Sequence, residues 1–369
     1  MTPHIPPDHQ ADDLLARLLA APQFSLPPRQ KAALLLPLLD GLTARHYRDC
    51  PPYRRLLDML HGGHVPAGGL HEVPALPVGL FKTHHLVSVP DEAVHAVLTS
   101  SGTGGAVSRV VLDAETAALQ TRALAAVMTR LLGPKRLPMM IADHRGTLAG
   151  GLSARAAGVL GMMTFGRDHR FVLDADLSFD EAQARALLDR AAGGPFLIFG
   201  FTALVWRHFL PAAARLGLDL SAGILVHGGG WKTLADQAVD NATFKATLRR
   251  ETGLSRIHNM YGMAEQVGAV FLEGEDGLLH ASNLSDVVIR DPDSWEPVAP
   301  GGRGVIQVLS ALPRSYPGHS LLTEDVGVLH ALDCADGVDG WRGTAFTVLG
   351  RLPRAELRGC GDTAGRRGP

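Results

Sequence analysis

The chain has 369 residues, 46% hydrophobic and 20% charged, which is the balance of a globular protein large enough for one big domain or two to three subdomains. Its formal net charge of −2, with 35 lysines and arginines scattered rather than gathered into a stripe, excludes nucleic acid as an electrostatically held partner. Residues 1–10 lack the basic start and apolar run of a leader. The most apolar stretch, 195–210, carries Trp206, Arg207 and His208 and is too short for a membrane span. Cys50, Cys334 and Cys360 supply neither a disulfide framework nor a CxxC pair, so a reducing, cytoplasmic location is expected.

In chain order, leucines at helical spacing predict helices over 11–21 and 28–42, the second interrupted at Pro37. Pro51-Pro52 starts a short helix reaching residue 60, and a Gly/Pro-rich connector fills 61–77. From residue 95 strands and helices alternate. The expected strands are 95–99, 139–142, 196–201 and 223–227. The expected helices are 114–132 with Asp113 as N-cap, 179–192, 203–216 and 235–252, while 151–161 reads as a helix or a compact small-residue turn. Such alternation argues for α/β layers on a largely parallel sheet. After Glu265 short apolar runs at 270–272, 278–281, 287–290, 305–309 and 326–329, separated by Gly, Pro and Asp, predict an antiparallel β-rich part.

Four constellations carry chemistry. Ser100-Ser101-Gly102-Thr103-Gly104-Gly105 follows a strand and shortly precedes a helix; its small residues and hydroxyls suit phosphate oxygens, although the Gly-Lys-Ser/Thr of a Walker loop is missing. His227-Gly228-Gly229-Gly230-Trp231-Lys232 ends a strand with three glycines, where a ligand can lie against the main chain, and its lysine suits an anion. Tyr261-Gly262-Met263-Ala264-Glu265 sets a ring suited to adenine beside a carboxylate suited to Mg²⁺. Thr323-Glu324-Asp325 places an acid at an expected strand start, in position for ribose hydroxyls. Each alone reads equally as a turn, a core ring or a surface acid; their order and type point to a protein that holds ATP. Phe196, Phe199, Phe201 and Trp206 are candidates for an apolar tunnel.

With these motifs the chain resembles the adenylate-forming superfamily of acyl-CoA synthetases and luciferases and, within it, the acyl-protein synthetases of the LuxE type, which activate fatty acids for a bacterial aldehyde-forming reductase. The resemblance runs through most of the chain beyond about residue 70. It rests on Pro77-Val78-Gly79-Leu80-Phe81-Lys82, the Ser/Gly loop, residues 195–201, the His227 to Lys232 and Tyr261 to Glu265 motifs, residues 315–318 and 321–325, Gly350-Arg351 and Arg358-Gly359-Cys360.

It implies an α/β adenylate-forming large domain of two layered subdomains plus a small β-rich one, behind an N-terminal helical cap. The expected divisions are 1–94 for the cap, 95–350 for the adenylate-forming domain (β-rich over about 270–350) and 351–369 for a tail carrying Cys360. By resemblance, Ser100, Ser101, Gly102, Thr103 and Gly104 form the phosphate loop, and Gly229, Gly230 and Gly262 border the nucleotide. Tyr261 stacks on adenine, Glu265 holds Mg²⁺, Asp325 binds ribose with Arg351 close by, and Cys360 carries the acyl group as a thioester.

The implied cofactors are ATP and Mg²⁺. The implied partners are a fatty or other carboxylic acid and an acyl-accepting protein such as an acyl reductase. Two departures stand out. Ala264 replaces the usual threonine before the metal-binding glutamate. The chain also ends 18 residues after Arg351, as is usual in the LuxE group, so the lysine of a C-terminal domain is missing and Lys232 or Lys82 must supply positive charge. The rival readings are a phenylacetate-type CoA ligase and a non-catalytic nucleotide-binding subunit of a reductase complex.

Overall fold

The computed structural model describes residues 8–100, 107–149, 153–231, 238–266, 268–334 and 340–352. Three helices open the chain: α1 (Asp8–Ala20), α2 (Pro28–Asp49) and α3 (Pro51–His61). Proline at the first position of α2 and α3 removes only an N–H that has no helical partner there. Pro37 does not end α2. The helix runs on to Asp49 because Leu35, Leu38, Leu39, Leu42 and His46 bury one continuous face, and that packing outweighs the lost hydrogen bond.

A short strand β1 (Leu76–Pro77) is followed by the antiparallel hairpin β2 (Val94–Thr99) and β3 (Arg109–Asp113). Then come α4 (Ala114–Leu132), β4 (Leu137–Ala142), α5 (Ala154–Met163), β5 (Gly166–Phe171), α6 (Glu181–Ala191) and β6 (Phe196–Phe201). Asp113, Ser153 and Asp180 cap α4, α5 and α6 by accepting from Thr116, Ala156 and Gln183 N–H. A helix expected over 203–216 is α7 (Thr202–Leu204) widened into a π turn at Val205–Phe209 before α8 (Leu210–Arg215). The widening precedes Pro211, which has no N–H to give.

Strand β7 (Gly223–Gly228), helix α9 (Asn241–Thr252) and β8 (Arg256–Tyr261) complete this half. Helix α9 starts at Asn241, because the Asp240 carboxylate accepts from Thr243 N–H and fixes the first turn there; residues 235–237 of the expected helix lie outside the described residues. The remaining strands are β9 (Phe271–Glu273), β10 (Leu279–His280), β11 (Ser285–Arg290), β12 (Arg303–Ser310), β13 (Ser320–Ala331) and β14 (Ala345–Arg351). No helix among the described residues is long and apolar enough to cross a membrane.

One sheet runs in the order β11-β12-β13-β14-β10-β9-β8-β7-β6-β4-β5, with β1 beside β13. Strands β5, β4, β6, β7 and β8 are parallel. From β9 onward that path is antiparallel. In the parallel half both faces are apolar: Phe196 and Ile198 pack with α6, α8 and α9, whereas Leu197 and Phe199 pack with α4 and α5. In the antiparallel half, Phe271, Leu279, Val287, Ile306, Val308, Leu321 and Phe346 meet in one core, together with Tyr53 and Leu57 of α3 and Leu98 and Val110 of the hairpin.

A buried polar network holds α9 to the sheet. The fully buried Glu273 carboxylate accepts from Lys245 Nζ at 2.9 Å, from Asn259 N–H at 2.7 Å and from Asn241 Nδ2. Removing one partner of a buried charge pair costs about 3–5 kcal/mol, and the two amide donors that remain put the cost here near the lower end. Lys245→Met is therefore expected to lower unfolding stability by about 3 kcal/mol, read from urea unfolding at neutral pH. A loss within experimental error would mean that the network does not hold α9.

Candidate active site

Tyr261 ends β8, Asp325 lies in β13 and Arg351 ends β14. The Tyr261 hydroxyl donates to Asp325 Oδ2 at 2.7 Å, and Arg351 Nε stands 3.9 Å from Oδ1. In sheet order β13 and β8 are four strand steps apart, roughly 19 Å on a flat sheet. The side chains meet because the antiparallel half curls around its core. Contacts of the Tyr261, Phe271 and Phe346 rings fill the inside of the curl.

Asp325 is not at a strand start as expected but inside the twelve-residue β13. It stays paired with Arg351 on the β14 side and leaves the ladder only on the β12 side. Val326 pairs with Val305 and Leu322 with Gln307, so residues 323–325 face Ile306 alone. This bulge re-aims the backbone, and Asp325 N–H closes it by donating to Thr323 Oγ1 at 3.1 Å. Burial pushes the Asp325 carboxyl above its usual range, opposed by the Tyr261 hydrogen bond and the Arg351 charge. Burial first, then the adjacent carboxylate, raises the Tyr261 phenol well above its own.

Glu265 is buried on a 3₁₀ turn, Ala264–Gln266. Gln266, which the sequence did not single out, fastens that turn: its Nε2 donates to Val308 O at 3.1 Å and Gly318 O at 2.9 Å. A Cβ at Gly318 would stand 2.8 Å from Glu265 O and 2.2 Å from the Tyr316 ring, so only glycine lets the two segments approach. The Ser315 hydroxyl donates to Val111 O at 2.9 Å, and β3 lies against the Glu265 turn. Strand β3 is thus tied to the same side of the molecule as the Glu265 turn.

The Ser/Gly loop joins two antiparallel strands rather than a strand to a helix. Helix α4 begins only after β3, so its N-terminal N–H groups are not the loop's own. Ser100 closes the loop, accepting from Ser108 N–H at 2.9 Å while its own N–H reaches Ser108 O. Ser101, Gly102, Thr103, Gly104, Lys232 and Cys360 lie outside the described residues.

Gly228 aligns with Met260, which puts the glycine turn beside Tyr261 at the carboxyl ends of β7 and β8. A Cβ at Gly228 would fall 2.6 Å from Met260 O, and Gly229 has φ +80 beside the Phe201 ring; at Gly230 the space is open. Gly262 lets the chain pass Ala269 O. Beneath the turn, Thr202 Oγ1 donates to Gly228 O at 3.2 Å and faces His227 Nδ1 at 3.0 Å. Burial depresses the His227 imidazole to about 3, so it is neutral and structural. Lys82 Nζ is 3.9 Å from Glu324 Oε1, on the bulge next to Asp325.

The family described as "Acyl-protein synthetase, LuxE" matches residues 9–367. The chain belongs to this family. It is 24% identical over 376 residues to the long-chain-fatty-acid–luciferin-component ligase of Vibrio harveyi, covering 95% of this chain and 92% of that one. It is 23% identical to the Aliivibrio fischeri ligase of the same name, covering 79% and 77%. Among solved structures it resembles an open conformation of 2-hydroxyisobutyryl-CoA ligase in complex with 2-HIB-AMP and CoA. The TM-score is 0.68 at 16% identity, over 90% of this chain and 73% of that one, a likeness of fold. This acyl-protein synthetase is therefore an α/β enzyme of the adenylate-forming fold.

The tunnel expected from aromatic residues is not one surface in this LuxE chain. Phe196 packs with Trp206 on one face of β6, and Phe199 with Phe201 on the other, because neighbouring strand residues alternate.

Asp325 gives a pH test. Its folded carboxyl is raised, so between the unfolded value near 4 and the folded one the native state holds more protons, and stability falls as pH rises. Asp325→Asn keeps an acceptor for Tyr261 and removes that ionisation. Its unfolding midpoint in urea should match the parent's near pH 4 and exceed it increasingly as pH rises, then level off. An advantage independent of pH would reject the assignment.

Proposed function

We propose that this LuxE family member activates a carboxylic acid with ATP to an acyl-adenylate, passes the acyl group to Cys360, and delivers it to an acyl-accepting protein such as a reductase. The observation that carries the nucleotide part is the meeting of Tyr261, Asp325 and Arg351 beside the Gly228 to Gly230 turn. The names of the Vibrio harveyi and Aliivibrio fischeri relatives support a long-chain fatty acid as the substrate.

In this reading the Tyr261 ring offers its face to adenine and Asp325 accepts from ribose hydroxyls, with Arg351 balancing its charge. Glu265 offers one hard carboxylate on a fastened turn, which fits Mg²⁺, an ion held through one or two carboxylates plus substrate phosphates. That ion would neutralise phosphate charge. Gly229 and Gly230 leave the backbone bare at the strand end, and Lys232 follows two residues on. The substrate carboxylate attacks the α-phosphorus and the bond to pyrophosphate breaks; positioning and charge stabilisation do most of the work. The Cys360 thiolate then attacks the acyl carbonyl, AMP leaves, and the thioester remains reactive enough for transfer. Arg358 beside it favours the thiolate.

Carboxylate-dependent exchange of pyrophosphate into ATP tests the first half. Glu265→Ala should abolish most exchange. Lys232→Ala should slow it by about 10²–10³, the usual loss for a transition-state charge contact. Normal exchange in Lys232→Ala with loss in Lys82→Ala would move that role to Lys82. The second half separates cleanly: Cys360→Ala should keep exchange but lose hydroxylamine-sensitive acyl labelling, while Cys50→Ala keeps both. Label that persists in Cys360→Ala, or AMP formation that requires CoA, would overturn the acyl-cysteine step.

A further inference from the structure

Away from the nucleotide side, Asp276, His280 and Cys334 bring an oxygen, a nitrogen and a sulfur donor within 4.8 Å of one another. We propose that these three side chains bind a zinc ion that clasps the β9–β10 hairpin to the segment after β13.

The backbone holds each donor in place. Asp276 sits in the turn between β9 and β10, where its Oδ1 accepts from Leu278 N–H at 3.0 Å. His280 is in β10 between β9 and β14, and its ring is buried edge-on against Trp341 at 5.3 Å. Its Nε2 faces both carboxylate oxygens of Asp276, at 2.9 and 3.1 Å. Cys334 follows Asp333, which Arg342 clamps with two nitrogens and Gly343 with its N–H. The segment bearing the thiol is thereby tied to the loop that carries Trp341.

The donor set selects the ion. Imidazole and thiolate disfavour Mg²⁺ and Ca²⁺, whereas carboxylate, imidazole and thiolate are the usual ligands of zinc. Charge also balances, because Asp276 and a deprotonated Cys334 neutralise a divalent ion and His280 stays neutral. On binding, the thiol proton leaves to water and the imidazole proton moves from Nε2 to Nδ1. Bonds of about 2.0–2.3 Å need ligand atoms roughly 3.3 Å or more apart. Asp276 and His280 therefore part slightly, Cys334 closes in, and water takes the fourth position. The site does not rest on the acyl-transfer reading, and its test needs no turnover.

Full-length protein freed of metal is titrated with Zn²⁺, then with Co²⁺. The expected result is one ion per chain, a change in Trp341 emission, a rise in melting midpoint with zinc, and a thiolate-to-cobalt charge-transfer band. Cys334→Ser should lose that band and weaken zinc binding by more than the roughly 10–100-fold typical of losing a mere supporting residue. Asp276→Asn should weaken it as well, and metal-free Asp276→Asn should melt with the metal-free parent. Failure to saturate at one zinc, or a full charge-transfer band in Cys334→Ser, would overturn the proposal.

Discussion

The hydrogen bond between the Tyr261 hydroxyl and the Asp325 carboxylate is the contact on which the candidate site depends. It joins the last parallel strand to a strand four steps further along the same sheet. That distance is closed only by curling, and the curl needs a thick apolar interior. Phe271, Phe346 and the body of Tyr261 provide it, with Tyr53 and Leu57 of α3 and the hairpin residues Leu98 and Val110 as plugs. The same side chains thus make a core and present a site at its rim. Tyrosine suits that position because its ring belongs to the core while its hydroxyl reaches a polar partner.

The N-terminal helices contribute more than a cover. His46 of α2 donates from Nε2 to Pro313 O and accepts from the Ser88 hydroxyl at Nδ1, and its ring stacks on His319 at 5.2 Å. His319 meets Thr43 Oγ1 at 2.8 Å. Residues 313–319 include Gly318, which abuts the Glu265 turn, so α2 supports that turn from behind. Lys31 pairs with Asp286 of β11 at 3.2 Å, both residues buried, and fixes the other end of the helix. A shift of α2 would therefore be transmitted to the carboxylate that sits on the turn.

Much of this was legible in the sequence where periodicity and local signals were strong. The parallel strands over 139–142, 196–201 and 223–227 and the runs from 270 to 329 fall within observed strands or at their edges. The helix over 114–132 has its expected cap. What escaped depended on distant partners. Strand β5, Gly166–Phe171, is an edge strand with four polar residues and no apolar alternation. Strand β8 contains His258 and Asn259, and Glu273 of the next strand meets His258 Nδ1 with its carbonyl and accepts from Asn259 N–H with its carboxylate. The bulge at Thr323–Asp325 exists only in the mismatch between β12 and β13, and neither strand shows it alone. Gln266 likewise gains meaning from Val308 and Gly318, more than forty residues away.

Burial sets two opposed pH dependences in the same architecture. His46 and His227 are depressed to about 3, and His319 and His258 are lowered, all chiefly by burial. An unfolded histidine takes a proton below about 6.5 whereas these folded ones do not, so their burial withdraws stability as pH falls through that value. Asp325 acts with the other sign and withdraws stability as pH rises above the usual carboxylate range. The histidines lie under the strand ends and behind the Glu265 turn, where neutral rings make good packing. The aspartate lies at the rim of that core, beside Arg351. A carboxylate in that position is a local destabilisation, held in place by the Tyr261 hydroxyl and the Arg351 charge. It persists because the curled core on one side and the α2 contacts on the other leave the bulge no more favourable way to fold.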